Sequence, residues 1–376
     1  MIPVSRPLVE SEELTAVKEV FDSGWLGMGS KTEEFEKKIK SIIGCKYALA
    51  VNTGTSALHI ALDSFGISSG DEVLVPSITY AASIQAIIST GAIPVFCESD
   101  ESTLLIDCDD VRNKLTSKTK AIMPVHYCGQ ACDMDTLLQI AEENDLVIIE
   151  DAAHAFGSSY KGKKIGSFGH ATCFSFDPIK VITSGEGGAV VVQDSKIAET
   201  IEHKRILGID SETLHRYKNK RNWFYNVTTK GYRYHMPNFC AAIGLAQLNR
   251  SNEIFEKRRN ICLAYDAAFH NLSSVSPLSV NYSETVPFMY VIKLKSGQRD
   301  IFMDFLKQKG VGTGVHYIPN HQHPYFQKYV KESLPLSDEI GEQIVTLPLF
   351  YGMTEDDVTQ VINSVTDFEL FEVNRQ

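Results

Sequence analysis

Lys180 closes the stretch Ser175-Phe176-Asp177-Pro178-Ile179-Lys180, ahead of Thr183-Ser184-Gly185-Glu186-Gly187-Gly188. It follows soon after an apolar run that ends in acid, Val147-Ile148-Ile149-Glu150-Asp151. A lysine held in a turn near a carboxylate at a strand end points to an amine that forms a Schiff base. Such an amine must be unprotonated to attack an aldehyde, and desolvation, by lowering its pKa, meets that need. With pyridoxal phosphate (PLP) as the aldehyde, the carboxylate would sit on the pyridinium nitrogen and keep it protonated, which makes the ring an electron sink.

Asn52-Thr53-Gly54-Thr55-Ser56-Ala57-Leu58 sets small and hydroxyl residues where a strand turns into a helix. Backbone N–H groups and the helix dipole attract phosphate at such a place. Taken alone, a Thr or Ser there reads more simply as a helix cap. A rival phosphate motif, Gly157-x4-Gly162-Lys163-Lys164, matches a P-loop except at its last position, where Lys164 replaces the hydroxyl that would hold magnesium. No Gly-x-Gly-x-x-Gly follows the first strand and no Gly-x-Ser-x-Gly elbow occurs, which disfavours dinucleotide and serine-hydrolase chemistry. His316, His321 and His323, with Asp151 and His154, raise a metal question, but their spacing is not diagnostic and no metal is expected.

The elements that must position these groups follow from periodicity. Short β-rich runs at 47–51, 72–76, 94–97, 121–125, 147–151, 171–176 and 189–192 alternate with helical patterns such as 55–65 and 134–144. That alternation predicts an α/β domain around a mostly parallel, seven-stranded sheet whose strands are covered on both faces. A long helical pattern at 241–269 reads as a bridge between domains. Beyond it, strands at 289–294 and 312–317 and helices at 300–309, 337–344 and 355–365 suggest a smaller α+β domain. The expected division is 1–249, including an N-terminal helical segment, and 250–376.

A chain of 376 residues is long enough for about two domains at ~100 to 200 residues each. A formal net charge of -11 and the lack of a dense basic run argue against a nucleic-acid surface. No basic-then-apolar leader opens the chain and no run approaches membrane-spanning length, so a cytoplasmic location is expected. The eight cysteines are scattered, with Cys128 and Cys132 closest, and indicate neither disulfides nor a zinc site.

Taken together, these motifs resemble the DegT/DnrJ/StrS sugar aminotransferases, PLP enzymes of fold type I. The resemblance runs from Ser23-Gly24-Trp25-Leu26 and Phe35-Glu36 through Gly70-Asp71-Glu72-Val73 and Glu150-Asp151-Ala152-Ala153-His154 to Leu347-Pro348-Leu349. It implies that Lys180 is the Schiff-base lysine, Asp151 the pyridinium partner and His154 a neighbour of the ring's phenolic oxygen. Tyr80 would stack on the ring, and Gly54, Thr55, Ser56 and Ser175 would hold the phosphate. Arg233, in Gly231-Tyr232-Arg233-Tyr234-His235-Met236, stands where the family commonly has an Asn that reaches the phosphate of the neighbouring subunit, and His235 stands where it commonly has Arg. Trp25, Gly29, His316, Tyr317 and His321 match segments that line the sugar side.

The function so implied is transfer of an amino group, from L-glutamate, to a ketone of a nucleotide-linked sugar, by default a 4-keto-6-deoxyhexose, in polysaccharide or natural-product glycan biosynthesis. A homodimer with shared active sites is implied as well. A nucleotide-sugar dehydratase would replace the lysine by His, and a non-catalytic regulator would not need Lys180, Asp151 and the phosphate residues together.

Overall fold

The computed structural model describes residues 1–210 and 225–373. Seven apolar runs pair into one sheet in the order Tyr47–Val51, Gly188–Val192, Ala171–Ser175, Val147–Asp151, Thr119–Ile122, Glu72–Pro76, Ile93–Cys97. The strands are β1 Tyr47–Val51, β2 Glu72–Pro76, β3 Ile93–Cys97, β4 Thr119–Ile122, β5 Val147–Asp151, β8 Ala171–Ser175 and β9 Gly188–Val192. β6 Ser159–Tyr160 and β7 Lys163–Lys164 form a separate hairpin. All pairings within β3-β2-β4-β5-β8 are parallel, and β9 runs antiparallel to both β8 and β1. The mostly parallel α/β sheet expected from the sequence is present.

Burial on both faces explains the continuous apolar runs. Ala48, Ala50, Leu74 and Ile148 enter one core, while their neighbours Leu49, Val51, Val73, Val75 and Ile149 enter the other. The period of two along each strand splits each run between two cores. The helices Gly54–Ser64 and Met134–Asn144 appear where the pattern placed them. β4 stops at Ile122, short of the expected 125. Pro124 has no N–H to give to a ladder.

Two expectations fail. The 241–269 pattern is not one helix but two, Asn238–Asn249 and Ser251–Phe269, joined at Arg250 with φ -115° and ψ 20°. Asn249 and Ser251 flank the break, and both types compete with the helix for backbone partners. The Arg250 guanidinium there pairs with Glu10 and, at 3.2 Å, with Glu13, which docks the N-terminal helix Ser11–Ser23. The 312–317 run is not a strand. Its glycine-rich backbone makes a single bridge, Gly314 to Thr346, and Val311 just before it makes another to Ile2, instead of a ladder.

After the helices comes a three-stranded antiparallel sheet, β10 Val275–Pro277, β11 Tyr290–Leu294 and β12 Ile344–Leu347. It packs with the helices Arg299–Gln308 and Glu355–Val373 around a core of its own that Ile2 joins from the N-terminus. Among the described residues, no helix is long and apolar enough to cross a membrane.

Candidate active site

The sheet delivers its chemistry at the carboxyl ends of β1, β2, β5 and β8, the usual place for a ligand crevice in open α/β sheets. Gly54, Thr55, Tyr80, Asp151, His154, Ser175, Lys180, His316 and Tyr317 line a single cavity of about 300 Å³. Nine residues singled out from the sequence are therefore brought together by four strand ends and one later loop.

At the end of β1 the helix Gly54–Ser64 begins, capped by Thr53, whose Oγ1 accepts from Ser56 N at 3.0 Å. The cap is thus Thr53, and Ser56, bonded to it through both N and Oγ, lies behind the cavity wall. A Cβ at position 54 would stand 2.7 Å from the Ser175 Cβ. Only glycine lets this helix start against the end of β8. The helix leaves the N–H groups of Gly54 and Thr55 without intrahelical acceptors.

Asp151 ends β5, where its Oδ2 accepts from Ser83 Oγ at 2.7 Å and its Oδ1 from Ala153 N at 3.1 Å. Burial raises its pKa against the opposing pull of those donors, Lys180 and His126. Lys180 sits in a turn closed by its own N–H on Asp177 O at 3.0 Å. Burial lowers its pKa to about 8, although Asp177 and Asp151 favour the charged amine. Its Nζ lies 4.3 Å from the centre of the Phe288 ring.

His154 is held neutral, because burial, Lys180 and His316 all push its pKa well below the usual range. Its ring stacks on Phe288 at 4.3 Å, and its Nε2 is 3.1 Å from the Tyr317 hydroxyl. Its Nδ1 is buried with no hydrogen-bond partner among the described residues. Tyr80 caps the following helix and is 60% exposed, with its ring 5.7 Å from that of Tyr317. His316 is fixed through Nδ1 to Thr346 Oγ1 at 2.8 Å, and burial lowers its pKa.

Besides Ser56, four of the sequence-predicted residues lie outside this wall. His321 is buried between Ser77 Oγ, 2.7 Å from its Nδ1, and Asp338, 2.8 Å from its Nε2. It ties the loop leading to Tyr80 to the C-terminal region. Trp25 is 60% exposed and donates to Met28 O at 2.9 Å; Gly29 packs beneath it. Arg233 is exposed, on a segment that bridges Ile206, next to Tyr234, whose carbonyl accepts from Asn52 N at 2.7 Å. The P-loop-like stretch folds as the β6–β7 hairpin, with Lys164 Nζ on Gly157 O.

Sequence reasoning missed Phe288, Ser83 and the wall residues Asp177 and Glu186. Asp177 and Glu186 lie within the 175–188 stretch that carries Lys180. Ser83 lies one helical turn beyond Tyr80, a spacing that was available as a signal.

A neutral-prone, half-buried amine, a buried carboxylate, an imidazole nitrogen unpartnered among the described residues and a helix N-terminus fit PLP in its aldehyde, ring-nitrogen, phenolic-oxygen and phosphate parts. The comparisons agree. The model of the DegT/DnrJ/EryC1/StrS aminotransferase family matches residues 7–366. The spore coat polysaccharide biosynthesis protein SpsC of Bacillus subtilis is 38% identical, over 97% of this chain and 96% of its own length. The sugar aminotransferase CalS13 of Micromonospora echinospora superposes with a TM-score of 0.90 at 29% identity, covering 98% of this chain and 100% of that one. Spr1654 of Streptococcus pneumoniae, solved in a PMP form, gives a TM-score of 0.93 at 28% identity, covering 98% and 99%, and its PLP form gives 0.91. The fold is that of the fold type I transferases, and the cofactor is PLP.

Proposed function

The chain belongs to the DegT/DnrJ/EryC1/StrS aminotransferase family, and from that premise we propose that it moves an amino group from L-glutamate to the ketone of a nucleotide-linked sugar, a 4-keto-6-deoxyhexose, in cytoplasmic synthesis of a polysaccharide or natural-product glycan. The observation that carries this reading is the Lys180 amine, half-buried with its pKa near 8 in the same cavity as Asp151. At pH 7 an amine titrating there is neutral roughly 300-fold more often than one at 10.5.

The cofactor, when bound, supplies the aldehyde and an electron-withdrawing ring. Lys180 Nζ would hold it at rest and, once displaced, would carry a proton from the donor's carbon to the carbon that was the cofactor's aldehyde, and carry one in the opposite direction for the keto acceptor. The Asp151 carboxylate holds a proton at the ring nitrogen, with Ser83 and Ala153 N–H fixing its orientation. His154 Nδ1, without a partner among the described residues, is available to the phenolic oxygen. The N–H groups of Gly54 and Thr55 and the Ser175 hydroxyl take the phosphate, with Ser56 securing the turn from behind. Tyr80 covers the ring face, and His316 and Tyr317 meet the sugar.

Among the described residues of the wall, Lys180 is the only lysine or arginine, whereas Asp151, Asp177 and Glu186 are acidic. Glutamate and a nucleotide diphosphate are anions and need cations. A second copy of the chain supplies them in this reading, with the exposed Arg233 reaching the partner's phosphate and Trp25 and Gly29 at the shared mouth. We further propose that residues 1–249 and 250–376 are the two domains, supported by the break at Arg250 and the separate core beyond it.

The test adds candidate keto sugar nucleotides to the pyridoxamine form and follows return of the aldehyde chromophore. A 4-keto-6-deoxyhexose nucleotide restores it; restoration only by free keto acids would overturn the sugar assignment. Sedimentation of cofactor-loaded protein as a monomer would overturn the shared site.

A further inference from the structure

Arg258 is a buried charge whose hydrogen-bond partners are backbone carbonyls. It is 4% exposed, its Nε donates to Pro287 O at 2.8 Å, and its Nη2 donates to Phe288 O and, at 3.2 Å, to Leu349 O. Burial pulls its pKa down to about 10. A buried guanidinium with no carboxylate bonded to it among the described residues is costly, and the carbonyl contacts offset the lost water. The grip falls on the backbone of one residue that faces the cavity's chemistry.

That residue is Phe288. Its N–H donates to Cys128 O at 3.0 Å, so donor and acceptor are both fixed. Its ring lies 4.3 Å from the Lys180 Nζ and stacks at 4.3 Å and 21° on His154. We infer that Arg258 is a positioning residue, which, through the backbone it grips, holds the Phe288 ring against Lys180 and His154 and so keeps water from the reacting amine. The inference rests on Lys180 being that amine.

The ring acts on the amine in two opposing ways. Its face attracts a cation, while its bulk removes the water that would solvate one. Asp151 and Asp177 also favour the charged amine, and Glu186 lines the same wall; His154 and His316 are neutral, and Tyr80 and Tyr317 complete the surroundings. The amine nonetheless titrates low, so exclusion of water outweighs the attractions. Phe288 is the apolar ring in contact with Nζ on this side.

The test uses the full-length chain freed of cofactor. Lys180 is acylated with trace acetic anhydride across pH 6 to 11, and the labelled peptide is weighed. The wild type should give a midpoint near 8. Phe288→Leu, still apolar, should keep it. Phe288→Ala should raise it by about one pH unit or more, a tenfold loss of neutral amine at pH 7. Arg258→Met should raise it likewise, and the double variant should go no further than Phe288→Ala alone, as groups acting in series do. Arg258→Gln, which retains one amide donor, gives the same direction if Arg258→Met does not fold. A wild-type midpoint in a folded Arg258 variant that has merely lost thermal stability would overturn the inference, as would a wild-type midpoint in Phe288→Ala. Borohydride fixation of cofactor on wild-type Lys180 checks the underlying reading separately, because its failure leaves the midpoint shifts standing.

Discussion

Glu150 and Asp151 are adjacent on β5, yet they occupy opposite sides of the sheet and different chemical worlds. Glu150 is wholly buried and fully partnered: His126 Nε2 at 2.8 Å, Gly169 N at 2.8 Å and Thr172 Oγ1 at 2.6 Å. His126 is in turn fixed by Cys132 N on its Nδ1 at 3.1 Å, which makes Nε2 the donor to Glu150. Asp151 has Ser83 and Ala153 N, a raised pKa and a cavity in front of it. One carboxylate is spent on holding structure and the other is left with capacity to hold a proton on something else. The strand's alternation alone separates the two roles.

That contrast can be broken most violently at its cationic end. Lys180→Ala should lower amino transfer by about 10⁴-fold or more, the upper range for a lost proton-transfer group, with little change in melting temperature. The assay is single-turnover conversion of the pyridoxamine form.

The two carboxylates should then respond in opposite ways. Asp151→Asn keeps the shape and should cut kcat by roughly 100-fold or more while leaving stability near wild type, because it removes a charge from a desolvated site. Glu150→Gln should cost about 2–4 kcal/mol of unfolding free energy, since an amide N–H now meets donors, with a smaller effect on kcat. Equal effects of both variants on both readouts would erase the distinction.

The pH dependence of the cofactor-free chain sharpens it further. Lys180 titrates at about 8 when folded and 10.5 when unfolded, so between these values the unfolded chain binds more protons. Stability attributable to this group should rise with pH through that window and be flat below it, and Lys180→Met should abolish the rise. Asp151 has the opposite sign: its raised pKa means the folded chain binds more protons just above 3.8, so its contribution falls as pH rises there. Denaturant melts of wild type and Asp151→Asn across that range check it.

The smallest contrast lies at the start of the helix Gly54–Ser64. Thr53→Ala should cost about 1 kcal/mol as a lost cap. Thr55→Ala should leave the melt unchanged and weaken cofactor retention instead.

The legible parts of this molecule are those whose residue type and local spacing carry the meaning. Lys180, Asp151 and the Gly54 turn are fixed by motifs on strand ends, and the seven strands by continuous apolar runs buried on both faces. Phe288 was illegible because an aromatic entering a strand looks like any core residue. Arg258, inside Glu256-Lys257-Arg258-Arg259, looks like a solvated helix face until the fold buries it. His321 is placed on the sugar side by the family resemblance, whereas in the fold its two nitrogens meet Ser77 and Asp338. The break at Arg250 has a local cause in Asn249 and Ser251, but its pairing with acids 237 to 240 residues earlier in the chain lies beyond the reach of any local pattern.

The central claim is that the position-180 amine carries the cofactor. Borohydride reduction of the cofactor-loaded protein, followed by digestion and peptide mass measurement, should place one reduced pyridoxyl phosphate group on the peptide containing Lys180. An unmodified Lys180 peptide from protein saturated with cofactor would contradict the account.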